Sequence, residues 1–245
     1  MSAHRLTGPV FLTGNDPYSQ DTEQMHPLGA LAIAENGDMY RYTKAGSTDF
    51  VAGYLYTALT EEANHQNIAL SAAASVGDKT VTPTPGATAV DANEYDEGWL
   101  IFNDNSPEGE CYKIASHEAA DASTAFDVNL ERGLLTAATT SSEVSLVRNP
   151  WNKPAVSQLI DERPCGVAIT DWDVSVAEYG WLKTRGMASV LADATGATKG
   201  YKVTVSDETD GAVGVYSDVD AEVVVGQAME THTATEFGAV YLTID

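Results

Sequence analysis

Histidines, cysteines and clustered carboxylates are the side chains of this sequence with the most obvious chemical potential. The five histidines are His4, His26, His65, His117 and His232. No two of them share the short spacing of a zinc site, and no cysteine lies near them in the chain. Ser116 precedes His117, but no Gly-x-Ser-x-Gly elbow exposes a serine nucleophile. A triad is defined by geometry and stays open at this stage; we predict ordinary surface or hydrogen-bonded histidines and no catalytic residue.

Two acidic loops are the candidate metal sites. Asn103–Glu110 (NDNSPEGE) offers the oxygen ligands that calcium prefers, and Asp207–Gly211 has a similar composition. Neither has EF-hand spacing, and Asx, Ser, Pro and Gly are also ordinary β-turn residues. We therefore predict turns, with no metal and no cofactor. The hypothesis of a calcium-assisted hydrolase that acts through paired carboxylates has no support beyond these loops and the abundance of acidic residues.

Cysteine, glycine and tryptophan give weaker signals. Cys111 and Cys165 lack CxxC spacing. A disulfide between them stays open, but two small buried thiols are the favoured interpretation. The glycines form no phosphate-binding motif, which leaves nucleotide binding without support. Aromatic rings could stack on sugars, but they more often pack in a β core or at an interface. The tryptophans in question are Trp99, Trp151, Trp172 and Trp181.

Charge and hydropathy exclude several classes of partner. The 245 residues include 36 acids against 13 Lys and Arg, for a formal charge of -23, so we expect no nucleic-acid binding. No apolar run reaches the roughly 18 residues of a membrane span, and the first residues lead into no signal-peptide stretch. We expect no membrane partner.

The pattern of elements predicts a mainly β fold with little helix. Residues 30–34 and 39–43 flank Asn36-Gly37, the dipeptide that best tolerates positive φ at both central positions of a hairpin turn. Short runs rich in Val, Thr and aromatic residues follow, with alternating polarity and turn residues between them, which is typical of small barrels and sandwiches. For residues 60–75 the sequence leaves a helix capped by Thr60 and an irregular chain equally open.

Four segments are predicted. Residues 1–27 contain three Gly/Pro breaks and are expected to form an extended arm. Residues 28–75 are expected to form a β-hairpin segment that packs with a C-terminal β-barrel of residues 155–245. Residues 76–154, bounded by proline-rich stretches, are expected to form an inserted β module.

The sequence resembles the head decoration (cement) proteins of tailed bacteriophages and the virion structural proteins of marine phages. The C-terminal stretches that carry the resemblance are Gly166–Ile169, Tyr179–Gly186, Ala188–Leu191, Gly211–Gly214, Val225–Ala228 and Phe237–Ile244. Further similar stretches are Leu28-Gly29 with Asn36–Gly46, and Gly98–Asn103 with Gly109–His117. These are loose β patterns that cover most of the chain, and they bring no catalytic residue with them.

The resemblance implies a non-enzymatic protein on the outer surface of the capsid, within the virion. Its partners would be the major capsid protein and itself, as a homotrimer, and it would staple neighbouring capsid subunits of the expanded shell. The binding residues stay unknown at this stage. The alternative is a receptor- or glycan-binding virion module, such as a fibre or spike component, which the four tryptophans and the inserted module would favour.

Overall fold

The computed structural model describes residues 8–159, 162–217 and 222–245. The chain divides into two compact units, residues 1–59 with 150–245 (the flanking unit) and residues 60–149 (the inserted unit). The predicted boundaries at 76 and 154 therefore shift to 60 and 149. At the first boundary, Ile68-Ala69 pairs with a strand of the inserted unit; at the second, Trp151 donates its indole N–H to the carbonyl of Cys165 in the flanking unit (3.1 Å).

The fold is mainly β, as predicted. The strands of the flanking unit before the insertion are β1 (Val10–Leu12), β2 (Gln20–Asp21), β3 (Leu31–Ala34), β4 (Met39–Lys44) and β5 (Leu55–Thr57). Those of the inserted unit are β6 (Ile68–Ala69), β7 (Thr80–Val81), β8 (Trp99–Asp104), β9 (Cys111–His117), β10 (Val128–Leu130) and β11 (Glu143–Val147). The flanking unit continues with β12 (Ala155–Val156), β13 (Pro164–Ala168), β14 (Tyr179–Leu191), β15 (Lys202–Val205), β16 (Val213–Val215), β17 (Val224–Ala228) and β18 (Phe237–Thr243).

Helix is confined, within the described ranges, to two three-residue 3-10 segments, Asp16–Tyr18 and Ala63–His65. Residues 60–75 are thus an irregular chain with one short turn, and the cap is Glu62 and not Thr60: its carboxylate accepts the N–H of Asn64 (3.1 Å). Nowhere in these ranges is a helix long and apolar enough to cross a membrane.

The predicted hairpin is confirmed, but its turn is of another class. The strands β3 and β4 pair antiparallel across Asn36-Gly37. Gly37 has φ +85°, whereas Asn36 is absent from the positive-φ residues, so only one central residue is left-handed. The N–H of Gly37 bonds to the carbonyl of Ala34 (2.9 Å), and the N–H of Ala34 bonds to the carbonyl of Asp38 (2.9 Å). This is a type I turn closed by a glycine bulge.

Part of the predicted extended arm joins the sheet of the flanking unit. β1 pairs in parallel with β3, and β2 pairs with β14. Residues 1–7, with His4, lie outside the described residues.

The flanking unit contains a four-strand arrangement that occurs twice. In the first repeat (β4, β5, β13 and the N-terminal half of β14), β13 pairs with β5 and β14, and β14 pairs with β4. In the second repeat (the C-terminal half of β14, β15, β17 and β18), β17 pairs with β15 and β18, and β18 pairs with β14. The single 13-residue strand β14 therefore closes one repeat and opens the next.

The registers of the two repeats agree residue by residue. Gly166 lies opposite Tyr56, and its counterpart Gly226 lies opposite Val203. The same agreement extends to the loops: Gly53 donates its N–H to the carbonyl of Ala168 (2.7 Å), and Gly200 to that of Ala228 (2.8 Å).

Glycine also recurs where an aromatic ring crosses the last strand of each repeat. A Cβ on Gly180 would lie 2.5 Å from the Trp172 ring, and a Cβ on Gly238 would lie 2.2 Å from the His232 ring. Both positions therefore demand glycine for the same reason.

The repeats differ mainly in the connection between their second and third strands. In the second repeat, β15 and β17 are joined through the short strand β16. At the equivalent place in the first repeat, between β5 and β13, the chain contains the whole inserted unit. The inserted unit has its own six-stranded sheet, in the order β6-β11-β8-β9-β10-β7, and its own core around Leu100, Ile114 and Leu146.

Candidate functional site

A cleft of about 460 Å³ opens in the flanking unit at the tip of the β3–β4 hairpin. Its walls come from the β1 region, the hairpin and β14. The side chains that give it chemical character are Tyr18, Glu35, Asp38, Tyr40, Lys183 and Met187. Sequence reasoning did not find this cleft, because Asp38 and Lys183 are far apart in the chain and share no motif.

A buried ion pair forms one wall of the cleft. Lys183 Nζ contacts Asp38 Oδ2 and also donates to the backbone carbonyl of Met187 (2.5 Å). The side chains of Lys183 and Asp38 are only 8% and 14% exposed. The pair needs Gly186, since a Cβ at this residue, with its φ of +105°, would lie 1.8 Å from Asp38 Oδ1.

The chemistry available to this pair is limited. Its two charges balance, and the Lys183 ammonium has two of its three donor directions engaged by protein oxygens. Asp38 also accepts from the side-chain amide of Asn36 (2.8 Å). The arrangement fixes the hairpin tip against β14 and presents a polar cleft, with no nucleophile and base held together.

The inserted unit buries two histidines around one tyrosine. His65 Nδ1 lies 2.6 Å from the Tyr95 hydroxyl, and its Nε2 lies 3.2 Å from the carbonyl of Thr88. A carbonyl can only accept, so in the neutral ring Nε2 carries the proton and the Tyr95 hydroxyl donates to Nδ1. The backbone N–H of Tyr95 donates to His117 Nε2 (2.9 Å), and His117 Nδ1 faces the carbonyl of Glu118 (3.0 Å).

These contacts fix His117 in its neutral form. Protonating its Nε2 would set two N–H groups against each other, and burial lowers the pKa of the ring below its usual 6.5. Burial also raises the pKa of Tyr95. All four ring nitrogens of His65 and His117 face protein groups, and both side chains are buried, so this network is part of the core of the inserted unit.

An ion pair borders the same network. Arg148 contacts Glu94, and its guanidinium lies 5.4 Å from the centre of the Tyr95 ring. The backbone N–H of Arg148 donates to Glu61 (3.1 Å). Burial raises the pKa of Glu61, which the N–H and the charge of Arg148 oppose. The cluster closes the start and the end of the inserted unit on each other, because Glu61 and Arg148 lie near its two chain boundaries.

Both candidate calcium loops are turns. In Asn103–Glu110, Asp104 accepts from the N–H of Asn105 (2.8 Å), while Glu110 accepts from Thr136 (2.6 Å) and from the Tyr112 hydroxyl. In Asp207–Gly211, the Ser206 hydroxyl accepts two backbone N–H groups of the turn. Among the described residues, no three His, Cys, Asp or Glu side chains converge as metal ligands would.

Three of the four tryptophans are core residues. Trp151 is 9% exposed, Trp172 1% and Trp181 3%, so their ring faces are not free for a sugar. Trp172 stacks on Phe50 with 4.6 Å between ring centroids. Trp99 is half-buried, and the Lys113 ammonium lies 4.4 Å from the centre of its ring.

The remaining candidates also have structural places. His26 packs its ring between Tyr42 and Trp181. His232 Nε2 donates to the carbonyl of Ala239 (3.1 Å), because a carbonyl can only accept. Both cysteines are free: Cys165 is buried as expected, but Cys111 is exposed, because it begins β9 on the solvent side of the sheet. Burial raises the pKa of the Cys165 thiol to about 12.

Comparison of the chain with protein-family models, with curated proteins and with solved structures found no match.

Proposed function

We propose that this chain is a non-enzymatic decoration protein that binds the outer surface of an icosahedral phage head and staples neighbouring major capsid protein subunits. The proposal starts from the resemblance of its β patterns to head decoration proteins, and the mainly β fold is compatible with it. The surface charge suits an outward position, since a chain with a formal charge of -23 is repelled by packaged DNA.

The observation that carries the proposal is the edge strand β1. It lies at one end of the strand order of the flanking unit, and within the described residues it pairs only with β3. Its central residue, Phe11, is 74% exposed. An unpaired edge strand with a large exposed apolar side chain is a template to which a strand of another protein can add.

The mechanism we propose is strand addition to a capsid subunit, with Phe11 as the anchor. Burying a phenylalanine is worth about 1.5–3 kcal/mol, and the backbone hydrogen bonds of an added strand set the register. A protein that binds the expanded shell and not its separated subunits stabilises the shell by mass action.

The test is co-sedimentation with expanded shells assembled from the major capsid protein of the same virus and lacking any decoration protein. The wild-type protein should sediment at a fixed ratio and raise the melting temperature of the shells. Phe11→Ser should weaken binding by roughly 10- to 100-fold, the factor that corresponds to losing one buried phenylalanine.

Leu135→Ser is the matched control, because Leu135 is 79% exposed but belongs to the inserted unit. It should bind shells like the wild type. A wild-type protein that stays in the supernatant would refute the proposal. Binding of Phe11→Ser equal to that of the wild type would show that β1 is not the binding strand.

A further inference from the structure

Each repeat of the flanking unit presents one row of cross-strand neighbours that can be compared position by position. The row of the first repeat (the first row) is Tyr40, Lys183, Val167 and Leu55. The row of the second repeat (the second row) is Met187, Tyr241, Gln227 and Lys202. Because the registers of the repeats agree, these two rows occupy equivalent places.

The first row is covered within the chain itself. Leu55 and Val167 are fully buried and belong to the same core cluster as Val190, Val203 and Val240 of the second repeat. Tyr40 and Lys183 are 4% and 6% exposed. The first repeat therefore packs against the second through Leu55 and Val167 of this row.

The second row has no such cover. Met187 is 48% exposed and Tyr241 40%, and Gln227 and Lys202 are also exposed. A terminal repeat that needed only to be soluble would carry a polar outer face. Half of this row is instead large and apolar.

The loops beside the rows show the same contrast. A Cβ on Gly53 of the first repeat would lie 2.6 Å from the Phe237 ring, whereas a Cβ on Gly200 would meet nothing within 4 Å. Tyr54 is half-buried, while its counterpart Tyr201 is 57% exposed. Met229, beside the second row, is 40% exposed. Met229 comes two residues after Gln227 and therefore faces the same side of the sheet, so the exposed apolar side chains of this face continue past the row.

The charge of this surface points to its occupant. Lys202 and Arg185 are exposed there, and among the described residues neither lies within ion-pair distance of a carboxylate. The chain as a whole has 36 acidic residues against 13 basic ones, and such side chains are mostly on the surface. Another molecule of this chain therefore offers acidic surface that complements this apolar and basic face.

We infer that the outer face of the second repeat binds an acidic surface of a second molecule of the same chain. The residues that form this face are Met187, Lys202, Gln227, Met229 and Tyr241. Contact between two different surfaces repeats head to tail and can close into a ring such as a trimer, whereas a face that pairs with itself gives only a dimer. This inference rests on the proposed function, which includes the expected homotrimer. It adds one of the two surfaces that would meet between neighbouring molecules.

The test is the mass of the full-length protein in solution, measured by light scattering over a range of concentrations and salt. The wild type should be an oligomer that weakens as salt rises. Lys202→Glu should weaken self-association at least ~10-fold, because it places a like charge opposite an acidic surface. Met187→Ser should weaken it without changing the salt dependence.

Two variants in the same unit serve as controls. Lys153→Glu reverses an exposed charge and Val176→Ser removes an apolar side chain that is 67% exposed, both away from the second row. Both should associate like the wild type. A wild type that is a monomer at every concentration would overturn the inference, and so would an oligomer that Lys202→Glu and Met187→Ser leave unchanged.

Shell co-sedimentation run in parallel separates this inference from the proposed function. A monomer that binds shells keeps the function and refutes the self-association. An oligomer that ignores shells does the reverse. A monomer whose shell binding is lost in Lys202→Glu would assign this face to the capsid protein and overturn the inference in that way.

Discussion

Replacing Gly226 by alanine tests why this position requires glycine. The reason is either the close approach of the neighbouring backbone or the conformational freedom of glycine. Gly226 is outside the left-handed region, but a Cβ on it would lie 2.3 Å from the carbonyl oxygen of Tyr241 on the neighbouring strand. Gly200, in the loop before β15, is the opposite case, with φ +85° and nothing within 4 Å of its Cβ. The pair Gly226→Ala and Gly200→Ala therefore separates the two effects within one repeat.

The contact distances set the expected magnitudes. A Cβ is ordinarily 3.4–4 Å from such an atom, so β17 and β18 would have to separate by about 1 Å around residue 226. Overpacking of this kind costs about 1–3 kcal/mol, and each backbone hydrogen bond that is lengthened adds about 1 kcal/mol. We expect Gly226→Ala to lower the free energy of unfolding by about 3 kcal/mol. Gly200→Ala should cost about 1–2 kcal/mol, from the left-handed φ alone.

The assay is urea unfolding followed by tryptophan fluorescence. Three of the four tryptophans, Trp151, Trp172 and Trp181, lie in the core of the flanking unit and report its transition. Both variants should shift the midpoint while the slope with urea stays unchanged. If Gly200→Ala were as destabilising as Gly226→Ala, or more so, close backbone approach would not be the reason for glycine at position 226.

Three further outcomes follow from the buried polar groups. Tyr95→Phe should destabilise the inserted unit by about 1–3 kcal/mol in thermal unfolding, because His65 Nδ1 loses its donor and stays buried. The pKa of His117 is lowered in the folded protein, so the unfolded chain takes up a proton first; stability should fall as the pH drops below 6.5, and melting curves of His117→Gln should show less of this fall. Asp38→Asn should cost about 2–3 kcal/mol in urea unfolding by leaving the Lys183 charge uncompensated, whereas Lys183→Met should cost less, since Asp38 keeps an amide partner.

Local patterns predicted the strands well, because alternating polarity and turn residues act over a few positions. The Asn36-Gly37 hairpin was predictable for this reason, although its turn class depends on the bulge and not on the dipeptide. Residues 181–184 and 189–191 are two strand-like runs on either side of Gly186, but the chain forms one continuous strand there, β14. Gly186, at φ +105°, lets the strand pass from one repeat to the next, and no local signal marks that role.

Long-range features were not predictable from the residues alone. The ion pair of Asp38 and Lys183 and the network of His65, Tyr95 and His117 depend on strand pairings between distant parts of the chain. The repeat itself is hidden because its halves share few residue types and because the inserted unit interrupts the first of them. The residue type favoured packing in a core for the tryptophans, and three of the four are core residues, but which three depends on long-range packing.

The two rows show which side chains the fold requires and which it does not. Inside the repeats, equivalent positions stay small and apolar, as with Ala168 and Ala228, because both are buried. On the rows, the buried Leu55 and Val167 of the first repeat correspond to the exposed Lys202 and Gln227 of the second. Polar side chains at exposed positions are what solubility requires. Met187 and Tyr241 in the same row do not follow this rule. An exposed apolar side chain contributes little to folding, and replacing it by a polar one is usually within about 0.5 kcal/mol. The fold therefore does not account for these two side chains, whereas the inferred contact with a second molecule of the chain would.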